Sequence, residues 1–271
     1  MSKKIRQPKQ KRADLPPAVS QNFLTSSKTI KRLLKLTSIN KNDSVIEIGC
    51  GKGHITRELI KICSSVNAFE IDCNLYDKLR GKFEHAENLN LKHLDFLKAD
   101  LPKTEPYKVF SNIPFSITSD IIRKLTTAKN LPDEMWLVME KGAAKRFMGK
   151  PGDTFASILI KPFFETKIKY YFERHDFHPM PSADIVLLHF TRKSQPDIPP
   201  SKQKDFACFV EKSMRYGIDR QLTKKQVSTA LKLAKLPCIE KSGLMSYVQW
   251  LCLFRCYCDY HNFGFRNVKR K

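Results

Sequence analysis

The sequence is short of acidic residues: 27 Asp and Glu stand against 49 Lys and Arg, for a formal net charge of +22. A fold needs no such excess, so the imbalance points to a polyanionic partner, nucleic acid first and an anionic membrane surface second. No stretch is long or apolar enough to span a bilayer, which excludes a chain built on spanning helices. The opening Met1-Ser2-Lys3-Lys4 lacks the apolar core of a signal peptide. The eight cysteines include no Cys-x-x-Cys pair and read as reduced thiols of a cytoplasmic protein. Internal repeats and low-complexity tracts are absent. What is present is 41% apolar content, enough for a real core, in 271 residues that suit one large domain or a medium one with an appendage.

Residues 1–19 form a basic arm (Lys3, Lys4, Arg6, Lys9, Lys11, Arg12) that suits phosphate contacts and solubility equally. Order is expected from Ser20-Gln21-Asn22-Phe23-Leu24. A helix follows with Ile30, Leu33 and Leu34 on one face and Ser26 or Ser27 as cap. Val45-Ile46-Glu47-Ile48 reads as a buried strand running into Gly49-Cys50-Gly51-Lys52-Gly53, then a helix with Ile55, Leu59 and Ile62 on one side. Strand, glycine loop and helix open a doubly wound nucleotide-binding sheet. The glycines let backbone approach a ligand, and the helix start offers free N–H groups. His54 stands where a dinucleotide fingerprint needs glycine, and no Gly-Lys-Ser/Thr follows, so neither that motif nor a P-loop fits. Glu-x-Gly-x-Gly-x-Gly, with Glu47 two residues before the first glycine, is instead the arrangement of S-adenosylmethionine methyltransferases.

A second strand, from Val66, ends at Glu70, placed to accept hydrogen bonds from both ribose hydroxyls. A third, from Leu89, ends at Asp95-Phe96, placed to accept from an adenine amine and cover its ring. Taken singly, each acid is more often a solvated or capping charge.

The chemistry is expected at Asn112-Ile113-Pro114-Phe115, after the β-like run Tyr107 to Phe110 and before a helix carrying Ile117, Ile121, Ile122 and Leu125. The Asn112 side-chain oxygen and a carbonyl beside Pro114 can accept both hydrogens of one amine. Held so, the amine of adenine loses conjugation with its ring and gains nucleophilic character, with no strong base required. Phe115 offers a flat face to the base. The plainer reading is a turn with Pro114 as helix starter and Phe115 in the core. Phe177, in the rigid loop His175-Asp176-Phe177-His178-Pro179-Met180-Pro181, either supplies a second wall or plugs the core. Lys141 and Lys145, four apart after the strand Met135 to Met139, mark a candidate RNA-contacting edge.

Gln195-Pro196-Asp197-Ile198-Pro199-Pro200-Ser201 reads as a linker. Beyond it the period turns helical, with faces at Phe206, Phe209, Val210; Val227, Leu231, Ala234; and Leu244, Val248, Leu251, Phe254. The expected organisation is an arm (1–19), an α/β domain (20–194) and a small helical RNA-binding domain with a basic tail (195–271). Cys252, Cys256, Cys258 and His261 do not pair as tetrahedral zinc ligands usually do, and no metal is expected.

Together these motifs resemble the Erm-type ribosomal RNA adenine dimethyltransferases, within the superfamily that includes the KsgA small-subunit enzymes. The resemblance covers about residues 20–260 and rests on Ser20 to Leu24, Glu47 to Gly53, Glu70, Asp95, Asn112 to Phe115 and Phe177 to Pro181. It implies a Rossmann-like class I methyltransferase sheet of seven strands followed by an all-α C-terminal domain. It also implies that S-adenosylmethionine is held by Asn22, Leu24, the glycines at 49, 51 and 53, Glu70, Asp95 and Asn112. Phe115 and Phe177 would sandwich the target adenine. Many relatives carry Tyr where Phe115 stands, which keeps the stacking face. Lys52 is similar to the Erm branch, where the KsgA branch commonly has Leu; this favours 23S rRNA, before or during assembly, and implies macrolide, lincosamide and streptogramin B resistance. A monomer is expected. The rival readings are a small-subunit rRNA dimethyltransferase, a non-catalytic RNA- or DNA-binding relative, and a DNA adenine methyltransferase, against which Ile113 counts.

Overall fold

A computed structural model describes residues 22–239 and 244–260. The basic arm, Ser20, Gln21, His261 and the basic tail lie outside the described residues. In chain order the elements are β1 (Phe23–Leu24), α1 (Ser27–Leu34), β2 (Ser44–Ile48), α2 (His54–Leu59), β3 (Ser65–Glu70), α3 (Cys73–Lys82) and β4 (Leu89–His93). Then come β5 (Lys108–Asn112), α4 (Thr118–Thr126), β6 (Glu134–Glu140), α5 (Lys141–Met148), α6 (Phe155–Ile160), β7 (Phe164–Tyr171), β8 (Phe177–His178) and β9 (Ile185–Arg192). Helices α7 (Gln203–Tyr216), α8 (Lys224–Leu233) and α9 (Tyr247–Tyr260) complete the described chain.

Seven strands form one sheet in the order β4-β3-β2-β5-β6-β9-β7, parallel except for β9, which pairs antiparallel with both neighbours. The central strands are apolar on both faces because helices cover both sides. Val45, Val66, Phe110 and Val138 pack with α1 and α2 on one face; Ile46, Ile48, Val109 and Leu137 pack with α4 and α5 on the other. The chain builds outward from β2 to β4, then crosses back to β5. The switch of direction therefore lies between β2 and β5, where a doubly wound sheet opens a crevice at its carboxyl ends.

Local signals set the helix starts. Ser26 caps α1 by accepting from the Thr29 N–H, and Asp72 caps α3 by accepting from Leu75. Thr154 with Ser157, and Thr223 with Gln226, form capping boxes at α6 and α8. Helix α2 is shorter than its apolar pattern suggests: it ends at Leu59, and Ile62 lies beyond it. Ala234 likewise lies just past α8.

The helices beyond residue 195 share one buried core with the α/β part. Phe206, Phe209 and Phe254 belong to the same buried cluster as Val109 and Leu137, and each stabilises by roughly 1.5–3 kcal/mol. Gln203 Nε2 donates to the Thr126 carbonyl at 2.7 Å, and the Tyr247 N–H donates to Asp153 at 2.7 Å. Asp197, in the linker, accepts from Lys193 and from the Tyr247 hydroxyl. The expected face of α9 holds in part. Leu251 and Phe254 are buried as expected, but Leu244 precedes the helix and is 73% exposed, Val248 is 52% exposed, and Trp250, Leu253 and Cys258 join the buried side. Cys252 donates to the Ala230 carbonyl at 3.5 Å and Cys258 is a core residue, so both thiols serve packing. Among the described residues no helix is long and apolar enough to cross a membrane, and no His, Cys, Asp or Glu cluster has metal-site geometry.

Candidate active site

Strands β2 and β5 share a ladder only at Val45–Lys108 and Ile46–Val109. Past that point the buried Ser111 hydroxyl substitutes for it, donating to the Ile48 carbonyl at 2.5 Å and accepting from the Ile48 N–H at 3.2 Å. The two strands can then part while both polar groups stay satisfied. Directly beyond lie Gly49 on one side and Asn112 on the other.

The glycine loop turns through three left-handed residues, Gly49, Gly51 and Gly53. At Gly51 the conformation also serves a close approach: a Cβ there would lie 2.6 Å from the Phe23 ring. Glu70, at the end of β3 and almost wholly buried, organises this loop. Its Oε2 accepts from the Gly51 N–H at 2.7 Å, and its Oε1 accepts from Ile71 and Asp72 N–H at 2.9 Å each. The carboxylate was expected to meet ribose hydroxyls; here three backbone donors already hold it.

Asn112 ends β5. Its Nδ2 donates to the Asn22 carbonyl at 2.7 Å, so the NH2 end of the amide is spoken for. Its Oδ1 is buried and has no hydrogen-bond partner among the described residues. A carbonyl can be met only by the NH2 end, so the orientation of the amide follows from the contact. Phe115 stands half-buried beside it, at the start of a short 3-10 turn, Phe115–Ile117, that leads into α4.

Asn22, Phe23, Gly49, Gly51, Glu70, Ile71, Asn112, Ile113, Pro114 and Phe115 line one cleft of about 70 Å³ at the switch point. The structure thus brings together most of the residues singled out from sequence. Four stand elsewhere. Leu24 is a core side chain, and Gly53 faces Leu79 and Phe83. Asp95 caps a 3-10 turn by accepting from the Leu97 N–H at 2.9 Å, and Phe96 behind it is buried edge-on to Phe69. Phe177 takes the second of its two readings: it is 3% exposed, lies edge-on to Phe172, and its backbone pairs with Leu24. Phe23 and Ile71 line the cleft without having been singled out. Ile71 gives a local signal, being an apolar residue directly after a strand-end acid and 62% exposed.

Charge in and around the loop is uneven. Burial pushes the Glu47 carboxyl up to about 8, Thr56 tempers the rise and Glu70 adds to it. Burial and the neighbouring Lys82, Arg57 and Lys52 charges hold His54 below the usual histidine range. Lys82 Nζ donates to the Lys52 carbonyl at 2.9 Å, and the Lys52 ammonium lies 4.9 Å from the Phe23 ring centre.

The chain matches the ribosomal RNA adenine dimethylase family over residues 15–241. An rRNA adenine N-6-methyltransferase of Lysinibacillus sphaericus is 34% identical over 240 residues, covering 88% of this chain and 95% of that one. One of Staphylococcus aureus is 36% identical over 245 residues, covering 90% and 98%. Among solved structures, the 23S rRNA methyltransferase ErmE superposes with a TM-score of 0.74 at 27% identity, covering 87% of this chain and 99% of that one. A dimethyladenosine transferase from Plasmodium falciparum shares the fold, with a TM-score of 0.65 at 20% identity. Methyltransferases of this fold generally use S-adenosylmethionine. The chain belongs to the ribosomal RNA adenine dimethylase family, a family of rRNA adenine N6-methyltransferases.

Proposed function

We propose that this protein methylates, once or twice, the exocyclic amine of one adenine in 23S rRNA, with S-adenosylmethionine as donor. The observation that carries the reading is the buried, unpartnered Oδ1 of Asn112, a residue that lines the cleft. A buried acceptor without a partner costs about 1–3 kcal/mol, a deficit that an incoming NH2 group removes. The Pro114 carbonyl already accepts from the Ile117 N–H at 3.2 Å, which favours the Ile113 carbonyl as the second acceptor of the pair. Extruding the base costs a few kcal/mol. Stacking on Phe115 returns about 1–3 kcal/mol, and the two amine hydrogen bonds supply the remainder. Phe177, buried against Phe172, is not needed as a second wall.

The donor fits the residues present: Gly51 lines the cleft with backbone alone, packed against the Phe23 ring, and Glu70 retains a lone pair on Oε2 beside its one backbone donor. Asn22, Gly49, Gly51, Glu70, Ile71 and Asn112 would hold it. When bound it supplies an electrophilic methyl group. This chain's part is to orient the amine at Asn112 and exclude water, so that catalysis is chiefly positioning.

The likeness to ErmE, with Lys52 in the glycine loop, supports large-subunit RNA as substrate, and with it macrolide, lincosamide and streptogramin B resistance. The protein would act as a cytoplasmic monomer on RNA before or during assembly. The test is incubation with labelled S-adenosylmethionine and separated, deproteinised rRNAs. Label confined to 23S rRNA supports the reading; label confined to the small-subunit RNA moves the protein to the other branch.

A further inference from the structure

Strand register carries the line of the active site across the sheet. Asn112 on β5 pairs with Val138 on β6; the next β6 residue, Met139, pairs with Val186 on β9; and Val186 pairs in turn with Tyr171 on β7. Strands β5, β6 and β7 run in the same direction, so Tyr171 sits on the same carboxyl edge as Asn112 and one row away. Three strand spacings separate them, about 14 Å. A bulge between Ile168 and Tyr170 shifts the pairing just before this point, a device that re-aims side chains near sites. Tyr170 lies edge-on to Phe172, whereas Tyr171 is 61% exposed.

This corner is also cationic. The Lys141 ammonium lies 5.8 Å from the Tyr171 ring centre and 3.3 Å from Asp184. Arg174 approaches the same carboxylate at 3.8 Å, so two cations share one anion. The Lys141 N–H is anchored on the Asp184 carbonyl at 2.8 Å, which fixes the start of α5 against this loop. An exposed aromatic face beside positive charge is what a single-stranded nucleic acid requires, a stacking surface for the base and attraction for the backbone.

We propose that Tyr171, backed by Lys141 and Arg174, is a stacking platform for a nucleobase flanking the target adenine. At about 3.4 Å per stacked nucleotide, 14 Å corresponds to about four nucleotides, and fewer where the strand is extended. The platform takes a base by its face and so accepts any of the four. It rests on the reading that the substrate is RNA. Its contribution is register: the stacked base holds the strand while the target base enters the cleft.

The test uses a synthetic RNA stem–loop carrying the mapped target adenine, with 2-aminopurine placed in turn at each of four positions on either side. Binding to the wild-type protein should quench the probe at one flanking position. Tyr171→Ala should abolish that quenching and weaken RNA binding about 10-fold, the size of one base–aromatic stack. Tyr171→Phe should restore both, and neither variant should alter S-adenosylmethionine affinity, melting temperature or the salt dependence of RNA binding. Wild-type binding with no quenched flanking position, or a Tyr171→Ala protein that quenches and binds as wild type, overturns the platform alone. Failure of the wild-type protein to methylate any rRNA overturns both the platform and the substrate reading.

Discussion

Asn112 donates its side-chain amide to the Asn22 carbonyl across 2.7 Å, and that contact leaves Oδ1 buried with no partner among the described residues. Ninety positions apart in sequence, the two residues meet because β1 is held at the carboxyl edge of the sheet by β8.

Glu70 should prove structural as well as ligand-binding. Glu70→Ala strands the N–H groups of Gly51, Ile71 and Asp72, each at a cost of about 1–3 kcal/mol if it stays buried. Thermal melting should fall by at least several degrees, at about 2–4 °C per kcal/mol, and cofactor affinity should fall with it. Glu70→Gln keeps an acceptor oxygen and should lie between. Calorimetry with and without S-adenosylmethionine checks both; an Ala variant that melts like wild type would show that the loop does not depend on this carboxylate.

Gly51 and Phe23 should be energetically coupled. Gly51→Ala places a non-glycine residue at φ +56° and a methyl 2.6 Å from the Phe23 ring. The first effect costs about 1–2 kcal/mol whatever the neighbour, and the second depends on the ring. Adding Phe23→Ala should therefore recover only the steric share. A double-mutant cycle on melting temperature and cofactor affinity measures the coupling. Strict additivity would mean the ring yields without cost. The same ring bears on entry of the donor: ligand pockets run to about 300–1,000 Å³, whereas this cleft holds about 70 Å³. Phe23 forms one wall of it, against the Gly51 backbone.

Glu47 predicts a pH dependence. Its folded pKa, raised from 4.5 to about 8, means the folded protein holds a proton that the unfolded chain releases. The neutral acid is fully tolerated below about pH 4.5, and stability is lost as pH rises from there to about 8, at up to about 1.4 kcal/mol per unit. Glu47→Gln should flatten this slope, so the melting-temperature difference between variant and wild type should move in the variant's favour from pH 5 to pH 8. A difference that does not change with pH would place the titration elsewhere.

The sequence made the sheet opening and the cleft legible because both are written locally. Spacing of Gly49, Gly51 and Gly53 after a strand, and Asn112 to Phe115 before a helix, needs no long-range information. Phe177 was ambiguous for the opposite reason: whether an aromatic is a wall or a plug depends on Phe172 and Leu24, which only the fold brings to it. Phe23 was overlooked although both its neighbours were named, since its contact with Gly51 crosses from β1 to the loop. The face of α9 was legible at Leu251 and Phe254 but extended too far toward the N-terminus, because Leu244 and Val248 continue the apolar stripe whereas the helix begins at Tyr247 and buries Trp250, Leu253 and Cys258 as well. The α/β and helical parts were separable by composition at residues 195–201, yet their shared buried cluster is a tertiary fact.

The central claim is that the Asn112 side-chain oxygen receives the adenine amine. The direct measurement is nucleoside mass analysis of rRNA after single-turnover reaction with labelled S-adenosylmethionine, comparing wild type with Asn112→Ala. The account predicts N6-methylated adenine from the wild type. For the variant it predicts a rate lower by about 10²–10³, the scale for losing one oriented hydrogen-bonding group, while RNA is still bound. Label on another nucleoside, or an Asn112→Ala enzyme that methylates adenine at near the wild-type rate, would contradict it.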